Sequence, residues 1–253
     1  RAICVDCAGR GRGNLFGSAR AARPRQWGSV RVSAQTPVVT YAIIGVCVAL
    51  WVGDILTKGV ITQYLGFTPI HGLYQPWRIL TTAFLHVNLM HIAFNMVSLY
   101  AVGRALEPAL GRGPYFCLYL LSALGGTLGV LGWVLIDPSS ALTVTVGASG
   151  AIFGLFGSVF VLQRAAGIDV RAVARLLAVN LLYGFIVSGV SWQAHLGGLL
   201  FGMLATWGML ALGKPRSGMT AKKQRRRLYL GIAGMFLAEL VILVVTYMVL
   251  LNI

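Results

Sequence analysis

Apolar runs recur along this chain at 38 to 53, 89 to 103, 114 to 136, 148 to 163, 175 to 190, 194 to 213 and 229 to 251, separated by short polar or charged breaks. Several approach the roughly 20 residues that a helix needs to cross the hydrocarbon of a bilayer. The pattern predicts seven spans. Between the first and second lies a stretch from Asp54 to Leu85, too polar and interrupted to be a span. Its Trp, Tyr and Pro content, including Gln75-Pro76-Trp77-Arg78, suits a segment lying at a membrane interface. Non-helical backbone there must rest against protein or water.

Composition agrees with this reading. Of 253 residues, 57% are hydrophobic and 11% charged, with mean hydropathy +0.79, against about a quarter charged in ordinary soluble domains. An all-α polytopic membrane protein follows. The formal charge of +15 raises the question of a nucleic-acid partner, but the basic residues sit in tails and loops between spans, as the positive-inside rule predicts. Arg1, Arg10, Arg12, Arg20, Arg23, Arg25 and Arg31 precede the first span. Lys214, Arg216, Lys222, Lys223, Arg225, Arg226 and Arg227 lie between the sixth and seventh. With Arg104, Arg112, Arg164, Arg171 and Arg175, 19 basic residues fall on one side, against Lys58 and Arg78 on the other. The N-terminus is therefore expected in the cytoplasm and the C-terminus outside.

This divides the chain into a basic, mobile cytoplasmic tail at 1–37, a six-span core at 38–213, a basic loop at 214–228 and a seventh transmembrane helix at 229–253. Within the tail, Cys4 and Cys7 form half of a zinc ligand set, whose other half would lie upstream of Arg1; two unpaired thiols are the alternative. An Arg-rich, acid-poor leader also resembles an organelle transit peptide, while the Arg, Ala, Gly and Val content suits a GC-rich bacterium. Cys47 and Cys117 lie within spans as small apolar fillers. Glu239, near the middle of the seventh span, should face protein rather than lipid.

Candidate chemistry gathers at one end of the even-numbered spans. Gly147-Ala148-Ser149-Gly150 opens the fourth, Ala194-His195 opens the sixth, and His86, His91 and Asn95 lie at or before the first turns of the second. With the N-terminus inside, all three spans start at the outer face, which brings these side chains to one depth. From Ser149 to Arg164 is about 22 Å of helix against roughly 30 Å of hydrocarbon. Ser149 then sits below the outer boundary and needs a polar cavity above it. Gly150 and Gly154, and Gly198 and Gly202, are spaced for close helix contact, which would bring Ser149 to His195.

Each motif has a plainer reading: small residues pack helices, and histidines sit at interfaces. Those readings leave unexplained why three separate spans place polar side chains at the same end and almost nowhere else, and glycine packing alone does not require histidines. A zinc site is disfavoured because His86 and His91 are five apart and no Asp, Glu or Cys at that depth completes a set. A transporter would show more intramembrane charge or an internal repeat.

Taken together the motifs resemble those of the rhomboid family of intramembrane serine proteases over roughly residues 38 to 213. Trp77-Arg78 is similar to the family's interfacial-loop signature, and His86, His91 and Asn95 follow its histidine and asparagine pattern. Gly103, Glu107 and Gly111 repeat its Gly, Glu, Gly spacing. Gly147-Ala148-Ser149-Gly150 resembles its nucleophile motif, and Ala194-His195 with Gly198 and Gly202 its base motif. The resemblance implies a six-helix rhomboid-like bundle with an added C-terminal transmembrane helix.

The same resemblance implies a Ser149-His195 dyad, with the oxyanion held by the Ser149 backbone N–H, His91 and Asn95. His86 would support the loop or a water path, Gly147 and Gly150 the tight backbone at the nucleophile, and Phe153 would stack on the base where relatives often carry a tyrosine. It implies transmembrane protein substrates with helices unstable near the outer end, entering between spans two and five; with the composition, a bacterial plasma membrane is the expected location. No cofactor and no nucleic acid is implied, and the oligomeric state is left open. A catalytically inactive, client-binding relative is the alternative; such relatives usually lack the nucleophile or the base.

Overall fold

The computed structural model describes residues 26–27, 30–31 and 36–252. Cys4, Cys7 and most of the expected tail lie outside the described residues. Within that stretch Gln26–Trp27 (β1) and Val30–Arg31 (β2) pair antiparallel. Seven long helices follow among the described residues: α1 (Val38–Leu56), then, after three short helices α2 (Val60–Leu65), α3 (Pro69–Gly72) and α4 (Arg78–Thr81), the long helices α5 (Leu89–Leu110), α6 (Arg112–Val134), α7 (Ser149–Ala165), α8 (Arg171–Ile186), α9 (Trp192–Gly213) and α10 (Ala221–Leu250). Helices α1, α5, α6, α9 and α10 are long and apolar enough to cross a membrane, and α7 is a shorter apolar helix.

Several boundaries differ from the hydrophobic pattern; the second run, for example, stays helical past 103 to Leu110. The fifth run, expected at 175–190, is helical at Arg171–Ile186; the Asp169 carboxylate accepts from the Arg171 N–H at 2.9 Å and starts the helix early, while extended Val187 and Gly189 at φ +86° end it early. The stretch expected as a loop at 214–228 is helical from Ala221 onward. The Thr220 hydroxyl accepts from the Lys223 N–H at 3.4 Å, so the basic residues from Lys222 to Arg227 ride on the first turns of α10.

Helix α6 is the hub, with α7 and α9 packed on it and on each other, α10 laid across α9 and α6, α5 beside α7, and α1 against α5. Glycines set these distances. A side chain at Gly198 would overlap the Gly150 carbonyl, and one at Gly202 would overlap the Gly154 backbone. The α6 glycines Gly126 and Gly129 meet the Ala194 and Gln193 carbonyls in the same manner. Backbones this close exchange dispersion contacts along their full length. A polar strut lies inside the same seam: Thr206 Oγ1 donates to Ser158 Oγ at 2.6 Å, and Ser158 Oγ to the Gly154 carbonyl at 2.8 Å.

The Gly103, Glu107, Gly111 pattern is a helix clamp. Buried Glu107 accepts from the backbone N–H groups of Val39 and Thr40 at 2.9 and 2.8 Å, with Thr40 Oγ1 also 2.8 Å away. It thereby satisfies the orphan donors at the start of α1, which has no cap of its own. Gly103 leaves room for the Thr40 side chain, and Gly111 at φ +84° makes the turn into α6. Glu239 is 4% exposed on α10, so it faces protein. Cys47 is buried, Cys117 is half-buried, and both are free.

Candidate active site

Three helix N-termini converge at one end of the bundle. Asn88 caps α5 by accepting from the His91 N–H at 2.8 Å, and Ser191 caps α9 by accepting from the Ala194 N–H at 3.3 Å. These caps fix the first turns that carry His91 and His195. Helix α7 begins differently, with no side-chain cap at Ala148. Its first-turn N–H groups, beginning with that of Ser149, remain available to an anion.

At this convergence His195 Nε2 lies 2.9 Å from Ser149 Oγ. For that nitrogen to accept from the hydroxyl, the proton must be on Nδ1, which is buried without a hydrogen-bond partner. Among the described residues no carboxylate hydrogen-bonds this imidazole. Its orientation comes from packing: the Phe153 ring stacks on it at 4.1 Å between centroids and 12° between planes. Gly184 of α8 lies close to the Nδ1 edge of the ring, since a Cβ there would lie 3.1 Å from Nδ1. Phe153 is itself held by Val173 and Leu177 of α8.

His91 stands across from this pair. A Cβ on Gly147, whose φ is +137°, would lie 2.8 Å from His91 Nε2 and 3.5 Å from Ser149 Oγ. Only glycine accepts that conformation and that proximity together. Asn95, one turn along α5, donates one amide hydrogen to the His91 carbonyl at 2.8 Å and keeps the second. His86 is 2% exposed and meets the His91 ring edge-on at 5.0 Å. Burial, and secondarily His91, push its pKa down to about 3, which the weak opposing pull of the Phe84 carbonyl does not offset. His86 is thus a neutral ring behind His91. Gly150 faces the Ala194 carbonyl and Gly126, not the cavity.

The segment leading to Ser149 is stitched to the interfacial loop. Phe67 and Thr145 exchange both backbone hydrogen bonds, at 3.1 and 2.7 Å. The Gly147 N–H donates to the Thr82 carbonyl at 3.0 Å, and the Thr82 hydroxyl donates to the Thr145 carbonyl. Buried Arg78 donates to the Gly66 carbonyl at 2.7 Å and to the Gln75 side chain, while Trp77 Nε1 donates to the Tyr64 carbonyl at 3.2 Å. The Trp77-Arg78 pair is therefore loop architecture.

A cavity of about 810 Å³ opens over Ser149 and His195 and runs between α5 and α8. Its outer walls are apolar and exposed, with Met90 and Phe94 on one helix and Val179 and Tyr183 on the other. Ser149, His195, His91, Asn95, Gly147 and Phe153 all line it. His86 and Gly150 do not. Among the described residues no group of three or more His, Cys, Asp or Glu is placed to hold a metal ion. Gly184 and the Phe67–Thr145 pairing were not visible in sequence, because a glycine in an apolar run and a two-residue bridge carry no periodic signal.

Helices of this order, five of them long and apolar enough to cross a membrane, define a polytopic helical membrane protein in which a serine and a histidine open α7 and α9 beneath one cavity. Residues 74–212 match the Rhomboid domain. The chain is 35% identical over 184 residues to the putative rhomboid protease YdcA of Bacillus subtilis (strain 168), covering 68% of this chain and 87% of that protein. It is 34% identical over 155 residues to the rhomboid protease GluP of the same organism, covering 58% of this chain but 28% of GluP. With the rhomboid protease AarA of Providencia stuartii it shares 29% identity over 152 residues, 51% of this chain and 54% of AarA. The chain belongs to the rhomboid family.

Proposed function

We propose that this chain is an intramembrane serine endopeptidase that hydrolyses peptide bonds in or near the transmembrane helices of membrane-protein substrates through a Ser149-His195 dyad. The observation that carries the reading is the 2.9 Å contact between Ser149 Oγ and His195 Nε2 at the floor of a cavity open between two helices. That three relatives are named rhomboid proteases supports it.

Ser149 Oγ attacks the scissile carbonyl as His195 Nε2 takes its proton, and His195 then delivers that proton to the leaving amine. The oxyanion of the tetrahedral intermediate is met by the Ser149 backbone N–H, His91 Nε2–H and the second amide hydrogen of Asn95. Water then attacks the acyl-enzyme with His195 again as base. A peptide bond inside a continuous helix is closed to a nucleophile, so the substrate must unwind locally before it reaches Ser149. Entry between α5 and α8 would present that unwound segment to the cavity. The bias of basic residues toward one side supports a plasma-membrane orientation with the N-terminus in the cytoplasm and the C-terminus outside, and the Arg-, Ala-, Gly- and Val-rich composition supports a bacterial host.

The test is cleavage of a generic single-pass rhomboid substrate in liposomes by wild type, Ser149→Ala and His195→Ala, with folding checked by thermal unfolding. Loss of cleavage in both folded variants is the expected result. Cleavage by either at the wild-type rate would overturn the dyad. Wild type that binds the substrate helix without cutting it would instead mark an inactive, client-binding relative.

A further inference from the structure

Helix α10 lies outside the six-helix core and contributes nothing to the dyad, yet its last turns reach the loop that leads to the nucleophile segment. Tyr247, 9% exposed, donates its phenolic hydrogen to the Pro69 carbonyl at 3.0 Å. Its ring end occupies the space that a side chain at Gly72 would need, and that same space is bounded by the Phe67 ring. Phe67 is fully buried in one apolar cluster with Leu243 and Tyr247 of α10 and Ile79 of α4. From Phe67 the contacts turn inward. Its backbone N–H and carbonyl pair with Thr145, and the strand-like segment Thr145-Val146-Gly147 lines the cavity and enters α7 at Ser149.

From this chain of contacts we infer that Tyr247 is a positioning residue for hydrolysis: α10 braces the Gly66–Gly72 loop, and that loop holds the Thr145–Gly147 segment at the register the nucleophile requires. The inference rests on the hydrolase reading above. It assigns α10 a function beyond spanning the membrane. Segment Thr145–Gly147 borders both the Ser149 N–H and the wall along which an unwound substrate strand would lie, so small shifts in it move the oxyanion donor relative to the scissile carbonyl. Displacements of about 1 Å at such a place cost up to ~100-fold in rate. Nothing in the contacts of Tyr247 touches the outer walls that would admit the substrate helix. The loss should therefore fall on kcat rather than KM.

The experiment uses the full chain in liposomes and compares wild type, Tyr247→Phe, Tyr247→Ala, Phe67→Ala and the double variant Phe67→Ala/Tyr247→Ala. A fluorophosphonate that labels the active serine to completion counts competent sites, and kcat is expressed per labelled site so that misfolded protein does not enter. Tyr247→Phe keeps the ring and removes only the hydroxyl; the expected result is a fall in kcat of about two- to tenfold with KM unchanged. Tyr247→Ala should fall further, and the double variant should fall no further than the worse of its parents, because both act through one segment. Tyr247→Phe with wild-type kcat per site, or losses at Phe67 and Tyr247 that multiply, would overturn the inference. Ser149→Ala is run alongside. Cleavage surviving there indicts the dyad, whereas cleavage lost there with Tyr247→Phe unaffected indicts only the brace.

Discussion

Replacing Phe153 with leucine isolates how the base is held. In a serine hydrolase with a triad a carboxylate fixes the imidazole, but here Nδ1 of His195 has no hydrogen-bond partner and the ring is fixed by stacking at 4.1 Å and 12°. A stacked aromatic pair is worth about 0.5–1.5 kcal/mol beyond its buried area. If that energy holds His195 in the conformation that reaches Ser149, its loss lowers the population of the reactive rotamer by about two- to twelvefold. Leucine retains most of the apolar volume against Val173 and Leu177, so the fold should survive. The assay is steady-state cleavage in liposomes with sites counted by covalent serine labelling. Phe153→Leu should lose that factor in kcat, while Phe153→Tyr, which keeps the stack, should stay within about twofold of wild type. Wild-type kcat in Phe153→Leu would refute the claim that stacking replaces the missing carboxylate.

Two further outcomes follow from the packing. Gly184→Ala places a methyl 3.1 Å from His195 Nδ1; the imidazole must yield by a few tenths of an ångström, and kcat should fall by about threefold or more while thermal stability changes by less than about 1 kcal/mol. Glu107→Ala leaves the Val39 and Thr40 N–H groups without their acceptor, at about 1–3 kcal/mol for each orphaned donor. Its melting temperature should drop clearly below that of Glu107→Gln, whose amide oxygen still accepts. Equal melting temperatures for the two would show that α1 does not depend on this clamp.

Much of the site was legible because its chemistry interrupts apolar runs. Ser149, His195, His91 and Asn95 are polar groups at the starts of hydrophobic helices, and the topology of alternating spans was enough to bring them to one depth. Gly198 and Gly202 likewise announced the α7–α9 seam, since their spacing matches a helical turn. Gly184 did not. It sits in an apolar helix, four residues beyond Asn180, and its purpose exists only where α8 crosses His195. The brace from Tyr247 was hidden for a similar reason: a tyrosine near the end of a span reads as an interfacial anchor, and Phe67 is 180 residues away from it. Helix ends were also blurred where side-chain acceptors, rather than hydropathy, decide them, as the Thr220 cap does for α10 and the Asp169 carboxylate just before α8.

Helix α8 carries exposed Val179, Leu182, Phe185 and Ile186 yet has only 16 residues. At about 1.5 Å per residue it is roughly 24 Å long, about 6 Å short of a typical hydrocarbon layer. If α8 crosses the bilayer, as the sequence pattern predicts, lipid beside it would have to thin to match it, next to the opening between α5 and α8. A client helix matched to the full bilayer would find one end lifted toward water as it arrived. Its terminal turn would then lose the apolar surroundings that favour helical hydrogen bonding, so the local thinness of the membrane would begin the unwinding that Ser149 needs.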